Sequence, residues 1–373
     1  MFSEFHIIGG GMAGLTVAYA LANGERTIHL WEKEKLPCMF SSSKNAAIFR
    51  TYESDPTLSM LVKESYKQLG ELEKKAGTLL DRCGLLINPL EQDYYENAYI
   101  KNNPEMTELR SVGQTIHLPE GLDFSGYFLS ANGIVDIHSL QNYYIRTASM
   151  QGAVFHYNHE INMNIEDGAV QLSNGNSGNI KMSANSLIIN AAGSWAVNLL
   201  KASHVWTPPV EPYKRHLFFI RSRDKKTGHV KKNNVQWPVL WNEKRDFYLR
   251  SEGDGFLGTH CDQRETHAGD YVSDEKEFHR FLPSAISVFP FLKDYHIARY
   301  WACLRTFSLD QIPVIGFDPF IKNLFWVSGL GGRGITISPG LIPEIQRLVS
   351  SNSSETNVSL KNNPYSPIRF IHL

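Results

Sequence analysis

Cysteine is scarce: there are four in 373 residues, Cys38, Cys83, Cys261 and Cys303, with no C-x-x-C pair and no metal-like spacing to the histidines. No disulfide framework or metal site is therefore expected, and the chain reads as a protein of a reduced compartment. An excess of one charge is missing too, since Lys plus Arg total 37 against 38 for Asp plus Glu. No bulk field draws nucleic acid or an anionic membrane to such a surface, and the expected partner is a small molecule. No apolar run approaches membrane-spanning length, and only a few residues precede the first apolar segment. Neither a membrane span nor a signal peptide is expected, and the expected location is cytoplasmic. Internal repeats are absent.

What is present begins at once. Phe5 to Ile8 form a short apolar run, Gly9-Gly10-Gly11-Met12-Ala13-Gly14 follows, and Leu15, Ala18, Tyr19 and Leu21 then recur at helical spacing. This is strand, glycine turn and helix in the order a dinucleotide site requires. Gly9 makes the tight turn, Gly11 lets backbone approach a pyrophosphate, and Gly14 lets the helix pack closely on the strand; the helix N-terminus faces the phosphate charge. A second strand, Thr27 to Trp31, ends at Glu32, where a carboxylate accepts hydrogen bonds from an adenosine ribose and repels a ribose phosphate. The fingerprint alone does not separate FAD from NAD.

Further on come a small polar loop, Leu36 to Ala47, a helix from about Thr57 to Lys75, and a short run Gly133 to Asp136 that leads into a helix ending near Gln151. Leu187 to Asn190 is a buried strand entering the small-residue turn Ala191-Ala192-Gly193. Residues from about Pro208 to Thr306 alternate apolar and polar positions, as in Phe247-Tyr248-Leu249-Arg250, and predict a mostly antiparallel sheet. The basic run Arg221 to Lys232 reads as a solvated hairpin loop, and the Ser- and Asn-rich stretch Ser350 to Asn363 as a surface connection or mobile end. A last strand, Leu324 to Val327, is followed by Gly329-Leu330-Gly331-Gly332-Arg333-Gly334 and a helix.

Four stretches in order carry a resemblance: the fingerprint with Glu32, Ser42-Ser43-Lys44-Asn45-Ala46-Ala47, Asn190-Ala191-Ala192-Gly193, and Asp310-Gln311-Ile312-Pro313-Val314-Ile315-Gly316 with the Gly329 to Gly334 run. Together they resemble the FAD-dependent D-amino-acid oxidase superfamily, which includes glycine oxidase, monomeric sarcosine oxidase and the D-amino-acid dehydrogenases. Trp301-Ala302-Cys303-Leu304-Arg305, Phe247-Tyr248-Leu249 and Pro212-Tyr213-Lys214-Arg215 are most similar to its D-arginine dehydrogenase branch. The resemblance implies an α/β fold: a doubly wound, Rossmann-like FAD-binding domain (1–84, 133–207 and 309–373) with an interleaved antiparallel-sheet substrate domain (85–132 and 208–308). It implies FAD as cofactor, with contacts from Gly9, Gly11, Met12, Ala13, Gly14, Glu32, Lys33, Ser42, Ser43, Asn45, Ala46, Ala47, Ala191, Ala192, Gly193, Trp195, Arg305, Gly331, Gly332, Gly334, Ile335 and Thr336. The implied reaction is hydride removal from a C–H beside an amine, giving an imine that hydrolyses to a keto acid and ammonia.

Within that frame Arg305 is expected to grip the substrate carboxylate through its planar fork, unless it pairs with Asp310, and Tyr248 to donate to the same group. Backbone carbonyls near Gly331 and Gly332 would receive the amine. Arg215 is a further candidate, in competition with Lys214. Arg50 resembles the flavin-facing arginine of sarcosine oxidases, and Arg333 is expected near the flavin. Ile48 stands where the D-arginine branch carries a histidine, and Gly84 where it carries a pocket glutamate. The expected substrate is thus a small neutral or acidic amino acid of D configuration, not arginine. Cys303 aligns with the covalent flavin attachment of sarcosine oxidases but reads as a core residue, so the FAD is expected to be noncovalent. Arg250 is the sole cation between Phe247 and Gly258, where those oxidases carry their oxygen-activating lysine, which favours a dehydrogenase with an unassigned electron acceptor. The alternatives are a secondary-amine oxidase, a flavoenzyme of tRNA wobble-uridine modification, and a non-catalytic flavoprotein.

Overall fold

The computed structural model describes residues 2–88, 109–111, 126–175, 178–222, 237–350 and 363–371. Residues 223–232 of the basic run, 351–362 of the Ser- and Asn-rich stretch, and most of 89–125 lie outside the described residues.

Two sheets organise the chain. The first has six strands in the order Val314–Phe317, Leu324–Ser328, Ser186–Asn190, Glu4–Ile8, Thr27–Glu32 and Val154–Tyr157. Its strands run parallel except Val314–Phe317, which pairs antiparallel at the edge. Near-continuous apolar runs such as Ser186–Asn190, buried at every position, are what a sheet covered on both faces demands. One face carries the helices Met12–Leu21, Pro56–Ala76, Ile137–Met150 and Gly334–Ser350, which bury Leu15, Leu61, Leu140, Tyr144, Ile337 and Ile345 against Phe5, Ile7 and Phe325. The other face is covered by the hairpin Ile161–Glu166 and Ala169–Asn174, which packs Met163, Val170 and Leu172 on Ile8, Ile188 and Trp326.

Local signals fix the helix ends. Asp55 caps Pro56–Ala76 by accepting from the Thr57 and Leu58 amides at 2.8 and 2.9 Å, with Pro56 in the first helical position, and Gly77 at φ 83° ends it. The predicted Thr57 to Lys75 helix is thus found with its ends shifted by one residue.

The second sheet is almost wholly antiparallel. Strand Val210–Ser222 pairs over its full length with Tyr295–Ser308 on one side, and with Gly255–Thr259 and Arg264–Glu265 on the other; Phe247–Glu252, Val239–Asn242, Leu85–Asn88, Tyr127–Leu129 and Leu109–Ser111 complete it. One parallel pair, Val239–Asn242 with Leu85–Asn88, joins segments distant in sequence. Helix Glu275–Val288 closes the outer face, stacking Phe281 on Phe218 with ring centroids 3.9 Å apart. The inner face meets the first sheet, and a cavity lined by residues of both lies between them. No helix among the described residues is long and apolar enough to cross a membrane, and no group of acidic, His and Cys side chains among them is arranged to hold a metal.

Candidate active site

A single cavity of about 390 Å³ runs from the C-terminal ends of strands Glu4–Ile8 and Thr27–Glu32 to the inner face of the second sheet. Ligands of open α/β sheets bind in this position, outside the carboxyl ends of the strands. Its first part is the glycine turn. Gly9 sits at φ +108°, a conformation side chains disfavour, and a Cβ there would lie 2.6 Å from the Ala191 carbonyl oxygen. A Cβ on Gly14 would come within 1.9 Å of the Gly9 carbonyl oxygen, so Gly14 holds helix against turn. Gly11 starts the helix without a side-chain cap of its own, and Ser42 Oγ accepts from the Met12 amide at 2.9 Å.

Glu32 is buried at the strand end. Its two oxygens accept from the Gly10 amide at 2.6 Å and the Glu34 amide at 2.9 Å, which fixes the carboxylate on the cavity wall. Burial pushes its carboxyl up from the ordinary value against the pull of these two amides. The Ser42 to Ala47 loop is shaped by Asn45, whose amide donates to the Ser41 and Ser42 carbonyls and whose carbonyl oxygen accepts from Ala47 at 2.6 Å. Lys33 sets its ammonium 3.8 Å above the Trp195 ring.

Of the expected cofactor contacts, Gly9, Gly11, Met12, Ala13, Glu32, Lys33, Ser42, Asn45, Ala46, Ala47, Ala191, Ala192, Gly193, Trp195, Arg305, Gly331, Gly332, Gly334, Ile335 and Thr336 all line this one cavity. Two do not. Gly14 is taken up by its packing on Gly9, and Ser43 closes its own turn by donating to the Phe40 carbonyl at 3.2 Å. The wall therefore offers a dinucleotide a turn that admits backbone only, two helix N-termini (at Gly11 and Gly334) and a buried carboxylate at the ribose position, and the residues present fit that group.

The far end of the cavity carries the expected substrate residues. Arg305, 6% exposed, projects from strand Tyr295–Ser308; its Nη1 lies 2.9 Å from Cys303 Sγ and 3.4 Å from the Leu304 carbonyl oxygen. Asp310 is not its partner: that carboxylate is held by Arg369 at 2.7 and 3.1 Å. Among the described residues no carboxylate pairs with Arg305. Tyr248 lines the same wall, tilted against Trp241 with ring centroids 4.8 Å apart. Burial pushes its phenol well up from the ordinary value, so the hydroxyl remains a donor at neutral pH.

Strand register decides between Lys214 and Arg215. Lys214 points away from the cavity and is buried against Asp270 at 2.6 Å and the Val272 carbonyl, whereas Arg215 lies on the wall. Arg215 is largely committed to bracing the next turn: it donates to the Asp262 and Cys261 carbonyls and to Gln263 Oε1 at 3.1, 3.3 and 3.2 Å.

Gly84 corrects one expectation. It is not on the cavity wall; at φ +83° it packs under the Phe128 ring, where a Cβ would lie 2.2 Å from that ring. The cavity does carry an acid, Glu53, 4% exposed, which the sequence did not single out. It accepts from Arg50 Nη2 at 2.8 Å through one oxygen and from Arg333 Nε at 2.7 Å through the other. Gln263, Trp241 and Glu160 are further wall residues that went unread.

Comparison with known proteins places the chain in a family. The chain is 26% identical over 372 residues to the mitochondrial dimethylglycine dehydrogenase of Mus musculus, an alignment that takes in 91% of this chain and 41% of that protein. The chain thus spans about two fifths of the length of this relative. Among solved structures, L-proline dehydrogenase from P. horikoshii superposes with a TM-score of 0.79 at 20% identity, covering 99% of this chain and 98% of its own. Iminodiacetate oxidase from Chelativorans sp. BNC1 gives 0.78 at 21% identity, covering 97% and 98%. These two share its fold. The family model described as DAO, FAD dependent oxidoreductase, matches residues 4–342, and the chain belongs to that family of FAD-dependent enzymes.

Proposed function

We propose that this enzyme oxidises the C–N bond of a small amino acid whose carboxylate is held by Arg305 and Tyr248. One observation carries the reading. A buried guanidinium with no carboxylate partner among the described residues shares a cavity wall with a tyrosine hydroxyl and with the dinucleotide cradle. Burying a cation unpaired is costly, and the arrangement is stable only where an anion completes it.

Each group then has a role. The Arg305 fork fixes both the position and the plane of the carboxylate, and Tyr248, kept protonated, adds a donor. The Gly331 and Gly332 carbonyls receive the amine, as the resemblance implies. Two anchors orient the C–H bond of the α-carbon, which is the entropic part of the catalysis. Bound FAD supplies the chemistry of the step by accepting a hydride. The product imine hydrolyses in water to a keto acid and ammonia. The D configuration, like the role of the two carbonyls, rests on the sequence resemblance.

Anaerobic mixing of the holoenzyme with D- and L-amino acids, N-methyl amino acids and iminodiacids tests it. Bleaching of the flavin by amino acids, and none by the matching amines that lack a carboxylate, is the expected result. Equal bleaching by both sets would contradict the carboxylate anchor.

A further inference from the structure

The cavity wall that carries Arg305 holds a second cationic group that plays no part in the carboxylate anchor. Arg50 and Arg333 converge on Glu53, each bound to a different carboxylate oxygen. Their commitments differ. Arg50 is engaged on several sides, with Glu53, with Glu243 at 3.9 Å and with the face of Trp241 at 4.8 Å. Arg333 is held side-on, by Nε alone, on the turn Gly331–Arg333; among the described residues no hydrogen bond reaches its two terminal nitrogens.

A guanidinium fastened through Nε keeps its outer fork in plane and ready for a bidentate acceptor. The charge count points the same way. The cavity wall carries four arginines, Arg50, Arg215, Arg305 and Arg333, and Lys33, against Glu32, Glu53 and Glu160, an excess of two positive charges. The α-carboxylate of a monocarboxylic substrate neutralises one of them, and in a half-buried cavity the remaining field favours a second anion. The two cationic positions adjoin, since a Cβ on Gly332, next to Arg333 in the chain, would lie 3.9 Å from Arg305 Cδ.

The geometry points to a second carboxylate subsite at Arg333, oriented by Glu53, and hence to a dicarboxylic substrate: an acidic α-amino acid or an iminodiacid. This rests on the reading of Arg305 as the first anchor. Glu53 serves here as a positioning residue. It spends one negative charge to aim two guanidinium groups, and the fork of Arg333 is left to the substrate.

Acetate and succinate, which lack an amine and are not oxidised, separate the two claims when their binding to the oxidised holoenzyme is followed by the perturbation of flavin absorbance. Succinate is expected to bind about tenfold more tightly than acetate at low salt, and high salt should shrink that advantage. Arg333→Ala should bring the two affinities within about twofold by weakening succinate alone. Equal affinities in the wild type, or an Arg333→Ala variant that weakens both ligands alike, would overturn the second subsite while leaving Arg305 in place. An Arg305→Ala variant that binds both ligands as the wild type does would overturn the first anchor and the second with it. Should Arg333→Ala fail to hold FAD, the wild-type ratio and its salt dependence decide the question without it. A matching preference in flavin reduction is expected, with D-aspartate or iminodiacetate ahead of D-alanine or sarcosine by about tenfold in kcat/KM.

Discussion

Cys303 Sγ lies 2.9 Å from Nη1 of Arg305, two residues on along the same strand, and donates in turn to the Arg215 carbonyl at 3.5 Å. The thiol is fully buried and is not on the cavity wall, so it stands behind the guanidinium and steadies it. A sulfur in that position is packed, not poised for attachment. Acid precipitation should therefore release the flavin into the supernatant. Flavin that stays with the precipitated chain would contradict this placement.

The glycine turn yields a ranking. A methyl group on Gly14 would meet the Gly9 carbonyl at 1.9 Å, and backbone cannot yield, whereas one on Gly11 would meet only the Ser42 hydroxyl at 3.3 Å. Gly14→Ala should cost about 3 kcal/mol or more of stability and abolish FAD loading, while Gly11→Ala should fold and bind FAD more weakly. Thermal unfolding and flavin content of the two variants give the order, and a Gly14→Ala protein with normal flavin content would refute it.

Stability should fall on mild acidification, and the sign follows from His6. Burial pushes this histidine down to about 4 from an ordinary value of 6.5, with the neighbouring Glu4 opposing and His29 and His156 adding to the fall. Its Nδ1 accepts from the Trp31 indole at 3.2 Å, a bond that leaves no room for a proton there. The fold thus prefers the neutral ring, its contribution is complete above pH 6.5, and it is lost as the pH falls from 6.5 towards 4, by roughly 1–3 kcal/mol. His29 and His156, also lowered by burial, act in the same direction. Urea midpoints at pH 7 and pH 5 should differ, and His6→Gln should flatten the difference. An unchanged slope in that variant would remove His6 from the account.

The electron acceptor is addressed by Arg250, the sole cation of Phe247–Glu252. It is tied to Glu252 at 2.5 Å and is not on the cavity wall. No cation from this hairpin faces the cavity, so the reduced enzyme is expected to regain its yellow colour in air more slowly than it turns over with an artificial acceptor. Stopped-flow reoxidation at a rate matching turnover would make it an oxidase.

Much of this was legible in the sequence because the signals are local. The glycine turn, Glu32 and the Asn45 loop are short motifs whose hydrogen-bond partners lie within about thirty residues, and Arg305 and Tyr248 were placed by the resemblance of their strings. Glu53 was not legible. It sits two residues before the helix cap Asp55 and reads as part of a helix start, and its partner Arg333 lies 280 residues away. Gly84 misled for the converse reason. Its positive φ answers to the Phe128 ring behind it, a contact that only the folded sheet creates. Gln263 escaped because the turn that presents it is held by Arg215 from another strand.

The central claim is that Arg305 anchors the substrate carboxylate, and the most direct measurement is kcat/KM for the best substrate in Arg305→Ala and Arg305→Lys holoenzymes with matched flavin content. Loss of a charge-assisted, buried contact should lower the alanine variant about a hundredfold, on the order of 2–4 kcal/mol of transition-state binding, and lysine, which lacks the fork, should not restore it. Turnover within a few-fold of wild type in either variant would contradict the account.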